Sequence, residues 1–97
     1  IHTVGPIYRG GIREEAKLLK SAYRESLELA RKNNLRSISF PAISTGVYGY
    51  PVDEASQIAI NTCIEFAQDN NEIKLIRHVL FNKEFYDIYS LQLKNLV

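Results

Sequence analysis

Ser37-Ile38-Ser39-Phe40-Pro41-Ala42-Ile43-Ser44-Thr45-Gly46-Val47-Tyr48-Gly49-Tyr50-Pro51 is the stretch on which the fold turns. From Ser37 to Ile43, apolar Ile38, Phe40 and Ala42 alternate with Ser37, Ser39 and Pro41, which predicts a strand. Pro41 has no N–H to donate and belongs near that strand's end. Asp53 is placed to cap a helix running to about Asn70, with Ala55, Ile58, Ala59, Thr62 and Phe66 on one face. Between strand and helix lies a loop punctuated by Gly46 and Gly49. Two readings fit that loop. Glycines let a backbone approach an anion closely, and the free N–H groups of a helix start point at it, so the loop can cradle a phosphate. It can equally be a plain strand-to-helix connection. It is not a Walker A loop, because no Gly-Lys-Ser/Thr closes it.

Working outward, Ile1 to Val4 is a short β-branched run stopped by Gly5-Pro6, and Gly10-Gly11 closes a loop containing Tyr8 and Arg9. A long helix is predicted over about Arg13 to Lys32. Ala16, Leu19, Tyr23, Leu27 and Ala30 form its buried face, widened by Leu18, Ala22 and Leu29, and its charged positions form a solvated face. Asn33-Asn34 ends it. Ile73 to Phe81 reads as an interior strand covered on two sides. A last helix, roughly Lys83 to Leu96, is expected to bury Phe85, Ile88, Tyr89, Leu93 and Leu96. The order β-α-β-loop-α-β-α predicts an α/β layered fold with helices on both faces of a sheet. Three strands are few for such a fold and leave exposed edges that invite self-association. The chain contains no methionine and opens inside Ile1-His2-Thr3-Val4, which reads as a strand rather than a tail. We therefore expect residues 1–97 to be one piece of a longer polypeptide.

Composition narrows the function classes. Ninety-seven residues make one domain at most. Lysines and arginines are interleaved with acidic residues for a net charge of +1, so bulk charge gives no nucleic-acid surface. One cysteine, Cys63, rules out an internal disulfide and suits a reducing cytoplasm. No apolar run reaches membrane-spanning length. His2 and His78 lack a second ligand at metal spacing and read as structural, and Cys63 reads as a buried small side chain. At the end of the last strand, Phe81 can stack on a base and Asn82 can face a ligand, or the two can be a core aromatic and a helix cap. No general acid or base stands out, and neither a metal nor a cofactor is expected.

Ile1-His2-Thr3-Val4-Gly5-Pro6 and Ser39 to Pro51 together resemble the macro domain family, most closely its MacroD-type branch with the bacterial O-acetyl-ADP-ribose deacetylases. Phe81-Asn82 and Asp87-Ile88-Tyr89 match the family's closing strand and helix. The resemblance implies a three-layer α/β/α fold, of which residues 1–97 would be the C-terminal part with about three strands and three helices. It implies binding of ADP-ribose or ADP-ribosylated substrates. Ser44, Thr45, Gly46, Val47, Tyr48 and Gly49 would wrap the diphosphate and distal ribose. Tyr50 would border that ribose as an accessory catalytic residue, and Phe81 with Asn82 would lie on the adenine side. The family's Gly-Asp-Ile, Asn-Ala-Ala-Asn and glycine-rich segments, which carry its other site residues, have no counterpart in this sequence. Three roles follow: a hydrolase of O-acetyl-ADP-ribose or mono-ADP-ribosyl esters, a non-catalytic ADP-ribose reader, or an inactive piece that completes its sheet by association.

Overall fold

A computed structural model describes residues 3–10, 14–46, 48–80 and 82–96. Its elements are α1 (Glu15–Lys32), β1 (Ser37–Phe40), α2 (Val52–Asp69), β2 (Leu75–His78) and α3 (Lys83–Leu96). β1 and β2 pair in parallel, with Ser37 opposite Leu75 and Phe40 opposite His78. Bonds from the Lys74 and Leu75 N–H groups to the Arg36 carbonyl, and from the Val79 N–H to the Phe40 carbonyl, extend the ladder at each end.

α1 ends as its sequence predicts. Asn34 takes φ 58°, the Leu35 N–H reaches the Ala30 carbonyl and the Asn34 N–H reaches that of Arg31. This is the paired closure of a left-handed C-terminal cap, which asparagine tolerates better than most residues. The start differs from expectation. Arg13 lies outside the described residues, and the helix begins at Glu15 after a left-handed Glu14. Glu15 is not on a solvated face but buried, and its Oε1 accepts the Arg9 N–H at 3.2 Å. Leu18, Leu29 and Ala16 are exposed rather than part of the buried face, which narrows to Leu19, Ala22, Tyr23, Leu27 and Ala30.

β1 stops at Phe40, short of the predicted Ile43, because Pro41 cannot donate and the chain turns at Ile43-Ser44. α2 begins two residues earlier than predicted. Pro51, not Asp53, holds the capping position, and Asp53 and Glu54 lie in the first turn. β2 covers only the middle of the predicted Ile73-to-Phe81 strand, and Phe81 lies outside the described residues. Nor is β2 buried on both faces. Phe40 and His78, on one face, meet Tyr23 of α1, Cys63 of α2 and Tyr89 of α3. Leu75, Arg77 and Val79 on the other face are exposed. The described helices thus supply one layer, and no described element covers the opposite side of the strands.

The predicted first strand is not formed by its described residues. Thr3 and Val4 have no strand pairing and are exposed, while Ile1 and His2 lie outside the described residues. A groove of about 610 Å³ separates Thr3 from β1. In α3, Tyr89 is buried and Phe85 and Ile88 are half-buried as expected, but Leu93 is exposed. The Leu96 side chain lies outside the description.

Candidate ADP-ribose loop

The chain leaves β1 at Phe40 and reaches α2 at Val52 through a loop that folds back on itself. The Tyr50 N–H donates to the Ser44 carbonyl at 2.8 Å and the Gly49 N–H to the Gly46 carbonyl at 3.0 Å. A third bond, from the Tyr8 N–H to the Tyr48 carbonyl at 2.9 Å, ties the loop to the N-terminal segment. The Thr45 side chain is spent locally, its Oγ1 donating to the Ala42 carbonyl at 2.8 Å. Among the described residues no backbone carbonyl receives the N–H groups of Ser44, Gly46 or Tyr48. Polar backbone of this kind is open to an outside acceptor. The start of α2, with its own unpaired N–H groups, follows directly.

The backbone here is strained in one specific place. Ser44 adopts φ 67°, a conformation that costs an L-residue about 1–2 kcal/mol. Its Oγ is buried and finds no protein partner among the described residues. Gly5 presses on this residue: a Cβ at Gly5 would collide with Ser44 Oγ and Ile43 Cγ2. Gly49, at φ +72°, supplies the other left-handed turn without strain. A left-handed serine with a buried hydroxyl that finds no partner among the described residues motivates a functional reading.

Of the residues predicted for the site, Ser44 and Thr45 are half-buried while Gly46, Tyr48, Gly49 and Asn82 are exposed. Val47 and Phe81 lie outside the described residues. Tyr50 is in the core, 3% exposed, with its ring 4.9 Å from that of Tyr8. Burial, then the nearby Glu54 and Glu15 carboxylates and Tyr8, raise its phenol above the ordinary value. At neutral pH it is therefore a hydrogen-bond donor, not a base. Asn82 caps α3, its Oδ1 accepting the Phe85 N–H at 2.9 Å, and among the described residues its amide NH₂ has no hydrogen-bond partner. Among the described residues no cluster of histidine, cysteine and carboxylate side chains could hold a metal ion. No described helix is long and apolar enough to cross a membrane.

Sequence reasoning missed the residues that hold the loop from behind. The Tyr23 hydroxyl, on α1, accepts the Ile43 N–H at 3.3 Å and lies 3.4 Å from the Pro41 carbonyl, to which it donates. Burial drives its ionisation far above the ordinary range, so it stays protonated. Its helical spacing signalled only a core position. The buried Glu15 carries no sequence signal beyond its place in a first turn. Behind β1, Cys63 Sγ lies 3.8 Å from His78 Nε2. Burial pushes the thiol up to about 12 and lowers the imidazole below its ordinary value, so both are neutral packing groups.

A strand that delivers a glycine loop to a helix start is an arrangement that open α/β folds use to hold anions. The chain belongs to the macro domain family, whose model matches residues 1–59. It is 53% identical over 89 residues to an O-acetyl-ADP-ribose deacetylase of Klebsiella pneumoniae, covering 92% of this chain and 51% of that protein. It superposes on the Oceanobacillus iheyensis macrodomain with ADP at a TM-score of 0.93 and 49% identity, over 98% of this chain and 50% of the other. A Trypanosoma brucei macrodomain in complex with ADP-ribose matches at 0.84 and 37% identity, over 93% of this chain and 37% of the other. The chain spans about half the length of the curated relatives it matches.

Proposed function

We propose that residues 1–97 are the C-terminal part of a single macro domain and that the 44–50 loop binds the diphosphate of ADP-ribose. The observation carrying this reading is the left-handed Ser44: among the described residues its Oγ has no partner, and no backbone carbonyl receives the neighbouring N–H groups of Gly46 and Tyr48. A diphosphate supplies the acceptors these groups lack, next to the positive end of α2. Relatives that superpose on this chain hold ADP or ADP-ribose, which supports the same ligand here. Tyr48, exposed at the loop's tip, is placed to flank a ribose, and Asn82 with Phe81 would lie toward the adenine.

The complete domain, on this reading, hydrolyses O-acetyl-ADP-ribose or mono-ADP-ribosyl esters in the cytoplasm. Tyr50 enters as a neutral donor that orients the ribose. The groups that activate water are expected from outside these residues, because the described loop carries no base. The second reading is a module that binds ADP-ribose without turning it over, favoured by the same absence of a base in the described loop. Acetate release from O-acetyl-ADP-ribose by a polypeptide carrying the whole domain separates the two. Turnover supports the hydrolase, and tight binding without turnover leaves the reader. Calorimetry with ADP-ribose, ADP and adenosine tests the shared claim: the two diphosphates bind and adenosine does not, whereas equal binding of all three removes the loop from the account.

A further inference from the structure

We propose that Glu15 is a positioning residue for the 44–50 loop, acting through the Tyr8-Arg9 segment that its carboxylate holds against the start of α1. The inference deepens the reading of that loop as a diphosphate site and rests on it for its effect on binding, whereas the brace itself is measured without ligand.

Glutamate is rarely buried without a partner, because taking a carboxylate out of water is costly. Glu15 is 1% exposed, while Glu14 beside it stays in solvent. The first turn of α1 offers the charge one source of support, since a helix N-terminus is its positive end. A solvated glutamate at the same position would draw on that support equally, so the helix alone does not call for burial. The second source is the Arg9 N–H, which Glu15 Oε1 accepts at 3.2 Å. A carboxylate oxygen is a stronger acceptor than a neutral one, and here it acts on a backbone group of the preceding loop.

The segment so held reaches the loop at three places. The Tyr8 N–H donates to the Tyr48 carbonyl at 2.9 Å. The Tyr8 ring lies 4.9 Å from that of Tyr50. Gly5 packs on Ile43 and Ser44 so closely that a Cβ there would collide with both. Residues 3–8 form no strand. Among the described residues, the bond from Arg9 to Glu15 is the one hydrogen bond that ties this segment to a helix. Backbone without ladder partners opens easily and keeps its place through point contacts of this kind. The Glu15 charge also acts on the loop directly. After burial and the Glu54 carboxylate it is a further cause of the raised Tyr50 phenol, which sets Glu15 within electrostatic range of the site. A loop containing Gly46 and Gly49 has many alternatives to one bound shape, and a ligand that must first select that shape binds less tightly.

The test measures amide exchange on the isotope-labelled chain and on Glu15→Ala, Glu15→Gln and Glu15→Asp, with ADP-ribose then titrated into each. In Glu15→Ala the amides of Tyr8, Gly49 and Tyr50 are expected to exchange about tenfold faster while those of α2 are unchanged, and ADP-ribose affinity is expected to fall about tenfold. Glu15→Gln keeps an acceptor oxygen at the same reach and restores both to within about threefold. If Glu15→Ala unfolds by circular dichroism, Glu15→Asp decides in its place: it keeps the charge at the helix start but not the reach, and is expected to lose the same protection. Unchanged exchange at Tyr8 and the loop overturns the proposal, as does a loss that Glu15→Gln leaves unrestored or that spreads equally through α2. Faster loop exchange at unchanged affinity also overturns it. Absence of ADP-ribose binding by the unaltered chain instead removes the reading of the loop as a diphosphate site, and the exchange results then decide the brace alone.

Discussion

Tyr23 and Ile43 are joined across twenty residues by a single contact, the Ile43 N–H donating to the Tyr23 hydroxyl at 3.3 Å. That hydroxyl also faces the Pro41 carbonyl at 3.4 Å, so one side chain of α1 fixes both ends of the turn that leads into the loop. Tyr23→Phe keeps the ring packing against Phe40 and removes only the clamp. A loss of about 1 kcal/mol is expected by urea denaturation, since the Ile43 N–H is left without its partner. ADP-ribose affinity falls with it, read by calorimetry; unchanged affinity would detach the clamp from the site.

Ser44→Gly should move stability and binding in opposite directions. Glycine adopts φ near 67° freely, so release of strain stabilises the fold by up to about 1 kcal/mol. Loss of the unpartnered Oγ weakens ADP-ribose binding by about tenfold if that hydroxyl contacts the diphosphate. Thermal melts and titrations on the same sample give both signs. A variant that gains stability and keeps full affinity would reduce Ser44 to a turn residue.

Asn82 caps α3, and its proposed role at the ligand can be separated from that cap. Asn82→Ala removes the cap of α3 and costs about 1 kcal/mol. Asn82→Asp retains a capping oxygen and its stability but loses the free NH₂. Weaker ADP-ribose binding by the aspartate variant, at unchanged denaturation midpoint, assigns the amide to the ligand; equal binding leaves Asn82 a cap only.

The pH dependence of stability follows from the buried neutral groups. Cys63, Tyr23, Tyr50 and Tyr89 all ionise above their ordinary values in the folded chain. Above the unfolded-state value of each group, the unfolded chain has released a proton that the folded chain retains. Stability is therefore full below about pH 9 and falls as pH rises, each group adding up to about 1.4 kcal/mol per pH unit. His78 works in the other direction. Its lowered value means that stability falls as pH drops below about 6.5. Urea midpoints should be flattest between about pH 7 and 9. In Cys63→Ala the alkaline fall should begin nearer pH 10, about where tyrosine ionises. An identical alkaline limb in that variant would show that the thiol is not held neutral.

What could be read in the sequence depended on where local rules had no competitor. The end of α1 at Asn33-Asn34, the centre of its buried stripe at Leu19, Tyr23, Leu27 and Ala30, and the loop between β1 and α2 follow from residue type and spacing, and the structure carries them, whereas Ala16, Leu18 and Leu29 turn out exposed. The sheet was harder. A period of two marks Ser37 to Ile43 as extended but does not say where pairing stops. Pro41 and the Tyr23 clamp set that limit, and the clamp is a contact between distant residues. Leu75 and Val79 read as doubly buried because apolar strands usually are, yet among the described residues no second layer covers them. The burial of Glu15 and the collision that reserves position 5 for glycine are three-dimensional facts with no local signature. Val47 and Phe81 belong to the predicted site and lie outside the described residues.

The central claim is that the 44–50 loop is a diphosphate cradle, and the most direct measurement is an NMR titration of the labelled chain with ADP-ribose. Saturable shifts are predicted for the amides of Ser44, Gly46, Tyr48 and Gly49, reproduced by ADP and absent with adenosine. Shifts confined to residues away from this loop, or none at millimolar ligand, would contradict the account.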